Sequence, residues 1–294
     1  MNTSPASTMA DPTAAGASAA TPVESRFYRH RLPVRLMHWI NVVCLFVLLM
    51  SGLNIFNAHP ALYWGRDSTF AQPWVSIGSF DTPTGAVGKT RIGGAEFVTT
   101  GVLGLSDVDG TPTARAFPSW ATIPGPQWLA MARHWHFFFA WIFVINGVAY
   151  VLYTLFSRHL VRDLVPTRAE LGNIGRSIKD HLLFRHPTGA EAKRYNVLQS
   201  LTYLIVIFVL LPLIVIAGLA MSPRVDTVFT GWVELLGGRQ SARTLHFLAA
   251  FGLLLFVAIH VFEVIVAGVW NEMRSMITGW YTVPADRSKE KVTS

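Results

Sequence analysis

The amino-acid sequence predicts an all-α integral membrane protein, a bundle of four transmembrane helices with one long loop on its outer side. Three observations predict it: an apolar, charge-poor composition, four long stretches free of Asp, Glu, Lys and Arg, and basic residues gathered on alternate connections. Of 294 residues, 51% are hydrophobic and only 14% charged, with 10 Trp and 19 Phe, a balance that excludes an ordinary soluble enzyme.

Residues 1–25, rich in Ala, Ser, Thr and Pro, read as a disordered tail without the basic start and apolar core of a cleaved signal peptide. The charge-free stretches then run from Leu36 to Gly65, His134 to Ser157, Tyr195 to Pro223 and Thr244 to Phe262, the last resuming beyond Glu263. Each supplies the roughly 20 apolar residues needed to cross a hydrocarbon core, which places spans at about 37–56, 134–156, 197–220 and 243–268. Backbone groups in lipid must bond internally, and no segment alternates as an outer-membrane barrel strand does, so the spans are helices. Together residues 26–283 form the membrane domain, with outer loop 57–133 and a tail at 284–294.

Arg26, Arg29, Arg31 and Arg35 precede the first span. Arg158, Arg162, Arg168, Arg176, Lys179, Arg185, Lys193 and Arg194 separate the second from the third. The positive-inside rule puts these regions and both termini on the cytoplasmic side. The formal charge of +7 is therefore a topology signal, and no nucleic-acid partner is expected. The lone Cys44 forms no intrachain disulfide, and no CxxCH attachment motif exists.

Five histidines lie within or at the ends of the spans: His38, His134, His136, His246 and His260. Ionisable groups in such places are costly and mark functional sites. A histidine satisfied by a neighbour is the plain alternative for any one of them, but the set has a pattern. His246 and His260 are 14 residues apart on the fourth span, so they share a face and differ in depth by roughly 21 Å. That spacing suits two haems stacked across a membrane. Matching depths pairs His38 with His260 on the inner side, and His246 with His136 or His134 on the outer side.

Arg35, Arg133 and Arg243 each stand three residues before a histidine, in the repeated pattern Arg-x-x-His-aromatic at His38, His136 and His246. On a helix this places a cation one turn away on the same face, in reach of a haem propionate. The pattern favours His136 as iron ligand and leaves His134, the alternative, for a neighbour, the headgroup region or a partner subunit. Gly52 and Gly147 fall at the expected depths of the outer and inner haem, where a bare backbone admits a porphyrin edge; small-residue helix packing accounts for them equally well. A zinc or copper site would need ligands converging on one ion, which these spacings do not offer.

Pro33-Val34-Arg35-Leu36-Met37-His38-Trp39, the Arg133 to Phe137 motif, and His246 with His260 resemble the di-haem cytochrome b subunits of bacterial membrane redox enzymes. That family includes the b-type subunits of nickel-iron hydrogenase, formate dehydrogenase and thiosulfate reductase, and bacterial cytochrome b561. The resemblance covers about residues 27–283. Within the family the chain looks closest to the branch beside sulfite-oxidase-type molybdopterin oxidoreductases, judged by His134-Trp135-His136-Phe137, Gly238 to Arg243 and Arg274 to Gly279. It implies two noncovalent bis-histidine haems b held by His38, His136, His246 and His260, in a bacterial inner membrane. It further implies exchange of electrons between membrane quinone and a periplasmic catalytic or electron-transfer subunit, a molybdopterin enzyme among the choices, and is compatible with a homo-oligomer.

Near the inner haem, Asn196 and Glu263 are candidates for a quinone site, Asn196 because the family places a polar residue just before the third helix. Helix capping or headgroup contact is the plain alternative for both. The outer loop is too long for a simple connection and contains Gly93-Gly94 and the proline-broken stretch Phe117 to Gly125, fitting a lid or a docking platform. No nucleotide fingerprint, P-loop or cysteine cluster is present, so chemistry on a water-soluble substrate must come from a partner. A second reading is a stand-alone quinol oxidoreductase that reduces a soluble acceptor such as superoxide or a cytochrome. A transporter or structural anchor would leave the matched histidine depths unexplained.

Overall fold

The computed structural model describes residues 26–157, 165–167, 171–172, 174–175, 179, 197–229 and 231–283. Asn196 and most of the basic segment between the second and third spans lie outside the described residues.

Among the described residues, four helices are long and apolar enough to cross a membrane. Helix α1, Leu32–Asn57, begins behind an extended Arg31 with a proline in its first turn, where a missing N–H costs nothing. Helix α2 is Leu129–Phe156. Helix α3, Val197–Ala220, contains one π-helical turn at Val206–Leu210, which ends two residues before Pro212. Proline donates no hydrogen bond and crowds the carbonyl four residues earlier, which accounts for a widened turn there. Short helices α4, Pro223–Val228, and α5, Trp232–Leu235, lead into α6, Arg239–Thr278. Helix α6 is broken at Gly268, whose φ of 106° and ψ of 83° are open to glycine and strained for other residues.

The all-α expectation fits the spans and misses the loop that follows α1. There the chain forms β2 (Ala61–Leu62), β3 (Val75–Thr82), β4 (Gly85–Ile92) and β5 (Ala95–Val98), an antiparallel sheet in that order. Strands β6 (Gly104–Val108) and β7 (Thr111–Arg115) add a separate hairpin. Strand β1 (Arg26–Tyr28), ahead of α1, pairs antiparallel with β8 (Trp280–Thr282), beyond α6, and so clasps the two ends of the membrane domain. Arg29 reinforces the clasp with an ion pair to Glu272 at 3.1 Å.

The β module is fastened to the helices by a core of Phe56, Leu62, Val75, Ile77, Ala116 and Phe117, against which Leu53 of α1 and Phe247 of α6 pack. Polar latches add direction. Asn57 exchanges two hydrogen bonds with the Phe117 backbone, at 2.7 and 3.2 Å, and Asn54 donates to the Pro124 and Pro126 carbonyls at 2.6 and 3.0 Å. Thr244 donates to the Tyr63 carbonyl at 2.7 Å.

Within the bundle, α1 packs along α2 and the second half of α3 along α6, while direct backbone approach between the two pairs is sparse. Asn146 joins α1 to α2 by donating to the Met37 carbonyl (2.9 Å) and to Asn41 Oδ1 (2.8 Å). The outer faces carry exposed Phe46, Trp141, Ile145 and Leu255, as a lipid-facing surface requires.

Candidate haem site

Across the seam between the two helix pairs, four histidines face each other as two couples. His38 of α1 meets His260 of α6 with ring centroids 6.3 Å apart and planes at 67°. His136 of α2 meets His246 of α6 at 6.1 Å and 64°. An imidazole nitrogen binds a metal at about 2 Å, and the ring centre lies a little over 1 Å behind that nitrogen, so two imidazoles sharing one iron stand roughly 6 Å apart. Both couples fit that spacing. Among the described residues no three His, Cys, Asp or Glu converge. Each couple therefore presents two imidazoles and, among the described residues, no third ligating side chain, a donor set that would fit an iron already held by a porphyrin.

The elements explain why these rings meet. His246 and His260 lie on one face of an uninterrupted part of α6, ahead of the break at Gly268. His134 is two positions from His136, about 200° around the helix, and is exposed on the outside of α2. Rotation about the helix separates the two: His136 turns into the seam, toward His246, and His134 away from it.

The His136/His246 couple is buttressed. Ser51 Oγ lies 3.1 Å from His136 Nδ1, and the Ile214 carbonyl oxygen lies 2.8 Å from His246 Nδ1. Each ring also rests on a glycine: a Cβ at Gly52 would stand 3.3 Å from His136 Cε1, and one at Gly218 would stand 3.2 Å from His246 Cε1 and Nδ1. Gly52 was expected to admit a porphyrin edge; in the structure it admits an imidazole. Gly218 and Ser51 were not anticipated, although Ser51 directly precedes Gly52 in the sequence. A Cβ at Gly147 would meet nothing within 4 Å. The His38/His260 couple has aromatic neighbours instead: Trp39 stands edge-on to His38 at 5.5 Å, and Phe256 stacks on His260 at 5.8 Å and 18°.

The three arginines differ from one another. Arg35 donates to the Ile277 carbonyl, and its Nε is buried with no partner among the described residues. Arg133 is exposed, its guanidinium 5.6 Å above the Phe137 ring. Arg243 donates to the Ala61 carbonyl at 2.7 Å and to the His59 carbonyl, and lies over Phe56 at 5.4 Å. The expectation that all three serve propionates meets a different bonding here, because the chain leaving α1 presents carbonyls without helical partners and a guanidinium satisfies two at once. Burial, and then the charge of Arg243, hold His59 below the ordinary imidazole range. Glu263 is half-buried on α6, one turn beyond His260.

Comparison with known proteins gives the family. The family model for prokaryotic cytochrome b561 matches residues 29–279, a range that contains both histidine couples. A protein of Azospira oryzae named "Putative protein-methionine-sulfoxide reductase subunit YedZ1" is 27% identical over 248 residues, covering 84% of this chain and 93% of that one. No solved structure matches the chain. With its apolar helices and with this match over most of its length, the chain belongs to the prokaryotic cytochrome b561 family of b-type membrane cytochromes.

Proposed function

We propose that the chain is a di-haem cytochrome b that transfers electrons between the membrane quinone pool and a redox partner on the opposite, periplasmic face. The observation that carries this reading is the presence of two facing histidine couples at two depths, each with the spacing of a shared iron. His38 and His260 hold the inner haem, His136 and His246 the outer one, and two such haems supply one-electron chemistry at both membrane surfaces. The chain's own residues position the ligating ring nitrogens and exclude water with apolar helices, while Arg35 and Arg243 tie the helix ends to backbone carbonyls of neighbouring segments. Glu263 and Asn196 remain the quinone-site candidates. The cytoplasmic side contains both termini.

The relative's name points to the partner. A subunit that reduces methionine sulfoxide needs an electron source, and a chain without nucleotide or iron–sulfur motifs supplies electrons rather than the catalytic centre. The periplasmic partner in this reading is a reductase, and the resemblance of His134 to Phe137, Gly238 to Arg243 and Arg274 to Gly279 to the branch beside sulfite-oxidase-type enzymes favours one of the molybdopterin type. The folded β module, latched over the outer couple by Arg243 and Thr244, also suits the second reading, a stand-alone quinol oxidoreductase with its own lid.

Purified protein should contain two haems b per chain by pyridine haemochrome, and added quinol should reduce them. His246→Ala should lose the outer haem and His260→Ala the inner one, with insertion unaffected. Retention of two haems in either variant would sink the ligand assignment; absence of reduction by quinol would sink the quinone link.

A further inference from the structure

The two couples are built differently. Ser51 has one hydroxyl proton, and its Oγ lies 2.6 Å from the Val47 carbonyl, the usual back-bond of a helical serine. The Leu48 carbonyl is more distant, at 3.3 Å. With that proton committed to Val47, Oγ accepts from His136, whose ring also bonds the Leu48 backbone carbonyl; both partners put the proton of His136 on Nδ1 and leave the lone pair of Nε2 for the seam. The donation to Val47 also polarises the hydroxyl and improves it as an acceptor. His246 is fixed without ambiguity: a carbonyl oxygen only accepts, so Nδ1–H points at Ile214 and Nε2 is again the free nitrogen. Glycines 52 and 218 let both rings come this close. Among the described residues, neither His38 nor His260 has a ring hydrogen bond; Trp39 and Phe256 pack against them instead.

We infer that Ser51, with the Ile214 carbonyl, is the positioning group that makes the His136/His246 site the stronger-donating of two unequal haem sites. An acceptor on the far nitrogen of a ligating imidazole fixes the tautomer and raises the basicity of the near nitrogen. A more basic ligand stabilises ferric over ferrous iron, so the bonded couple lowers the potential of its haem and the unbonded couple does not. Ser51 touches no iron; it acts through His136. This rests on the two-couple ligand assignment above.

The test is spectroelectrochemical titration, with low-temperature EPR of the ferric state, on the full chain containing its haems in detergent. Ser51→Ala should keep two haems, shift one midpoint positive, leave the other in place, and alter the highest-g signal of that one haem. Ser51→Thr, which keeps the hydroxyl, should stay at the wild-type potentials. Gly218→Ala presses on His246 and should perturb the signal of the same haem.

Unmoved midpoints in Ser51→Ala, an equal movement of both, or a Gly218→Ala effect on the other haem would overturn the inference. If Ser51→Ala drops a haem, Ser51→Thr must restore it; loss in both means that packing, and not the hydroxyl, holds the ring. Failure of the underlying ligand assignment reads differently, as fewer than two haems in the unsubstituted protein or both haems retained in His136→Ala.

Discussion

At the scale of single residues, the site depends on rotation about a helix axis more than on residue type. His134 and His136 are chemically identical and two positions apart, yet one is exposed and the other stands 6.1 Å from His246. His136→Ala should therefore lose the outer haem while His134→Ala retains both. Pyridine haemochrome quantification checks this, and equal loss in the two variants would contradict the assignment. Ser51 shows the limit of reading residues one at a time. A buried serine on a helix ordinarily bonds its own backbone, and nothing in its sequence neighbourhood signals an acceptor for an imidazole. It becomes one only because α2 brings His136 against the Ser51–Gly52 step.

At the scale of elements, hydropathy made the four spans legible. Lengths near 20 apolar residues have few physical solutions in lipid, and the helices found at Leu32–Asn57, Leu129–Phe156, Val197–Ala220 and Arg239–Thr278 reflect that. The strands of the first connection were less legible, although their turns carry signals. Asp109 and Gly110 both have positive φ, 53° and 81°, between two strands of a tight hairpin. Gly93-Gly94 likewise closes β4 onto β5. Gly110→Ala places a Cβ in a left-handed conformation at a cost of about 1–2 kcal/mol. Amide exchange across β6 and β7 should speed by about tenfold, since 1.4 kcal/mol is a factor of ten. Haem content should not change. Unaltered exchange would show that the hairpin is closed by its packing against β4 instead of its turn.

At the scale of the molecule, the β module and the bundle are one packed object. Leu62, 1% exposed, belongs to the cluster that joins Phe56 of α1 to Phe247 of α6, and Arg243 and Thr244 anchor the same stretch. Leu62→Ala removes buried methyl groups at a cost of about 2–5 kcal/mol. Because the loosened region adjoins His246 and is remote from His260, thermal release of haem should become biphasic, the outer haem leaving first. Absorbance followed during heating checks this; simultaneous release of both haems would mean that the module and the outer couple are not coupled. The clasp of β1 with β8 and the Arg29–Glu272 pair close the opposite end of the bundle, where the His38/His260 couple lies.

The sequence by itself made legible the four apolar spans, the family and the spacing of the candidate histidines along them, because membrane length, the cost of charge in lipid and a fixed rise per residue leave little freedom along a helix. Only the tertiary structure decided what surrounds those histidines. Which face of α2 turns inward, which hydroxyl and carbonyl buttress the rings, where Arg243 spends its donors and how the outer connection folds all depend on contacts between segments distant in sequence. Helical periodicity fixes depth and relative angle within one segment, and is silent about what the neighbouring segment places opposite.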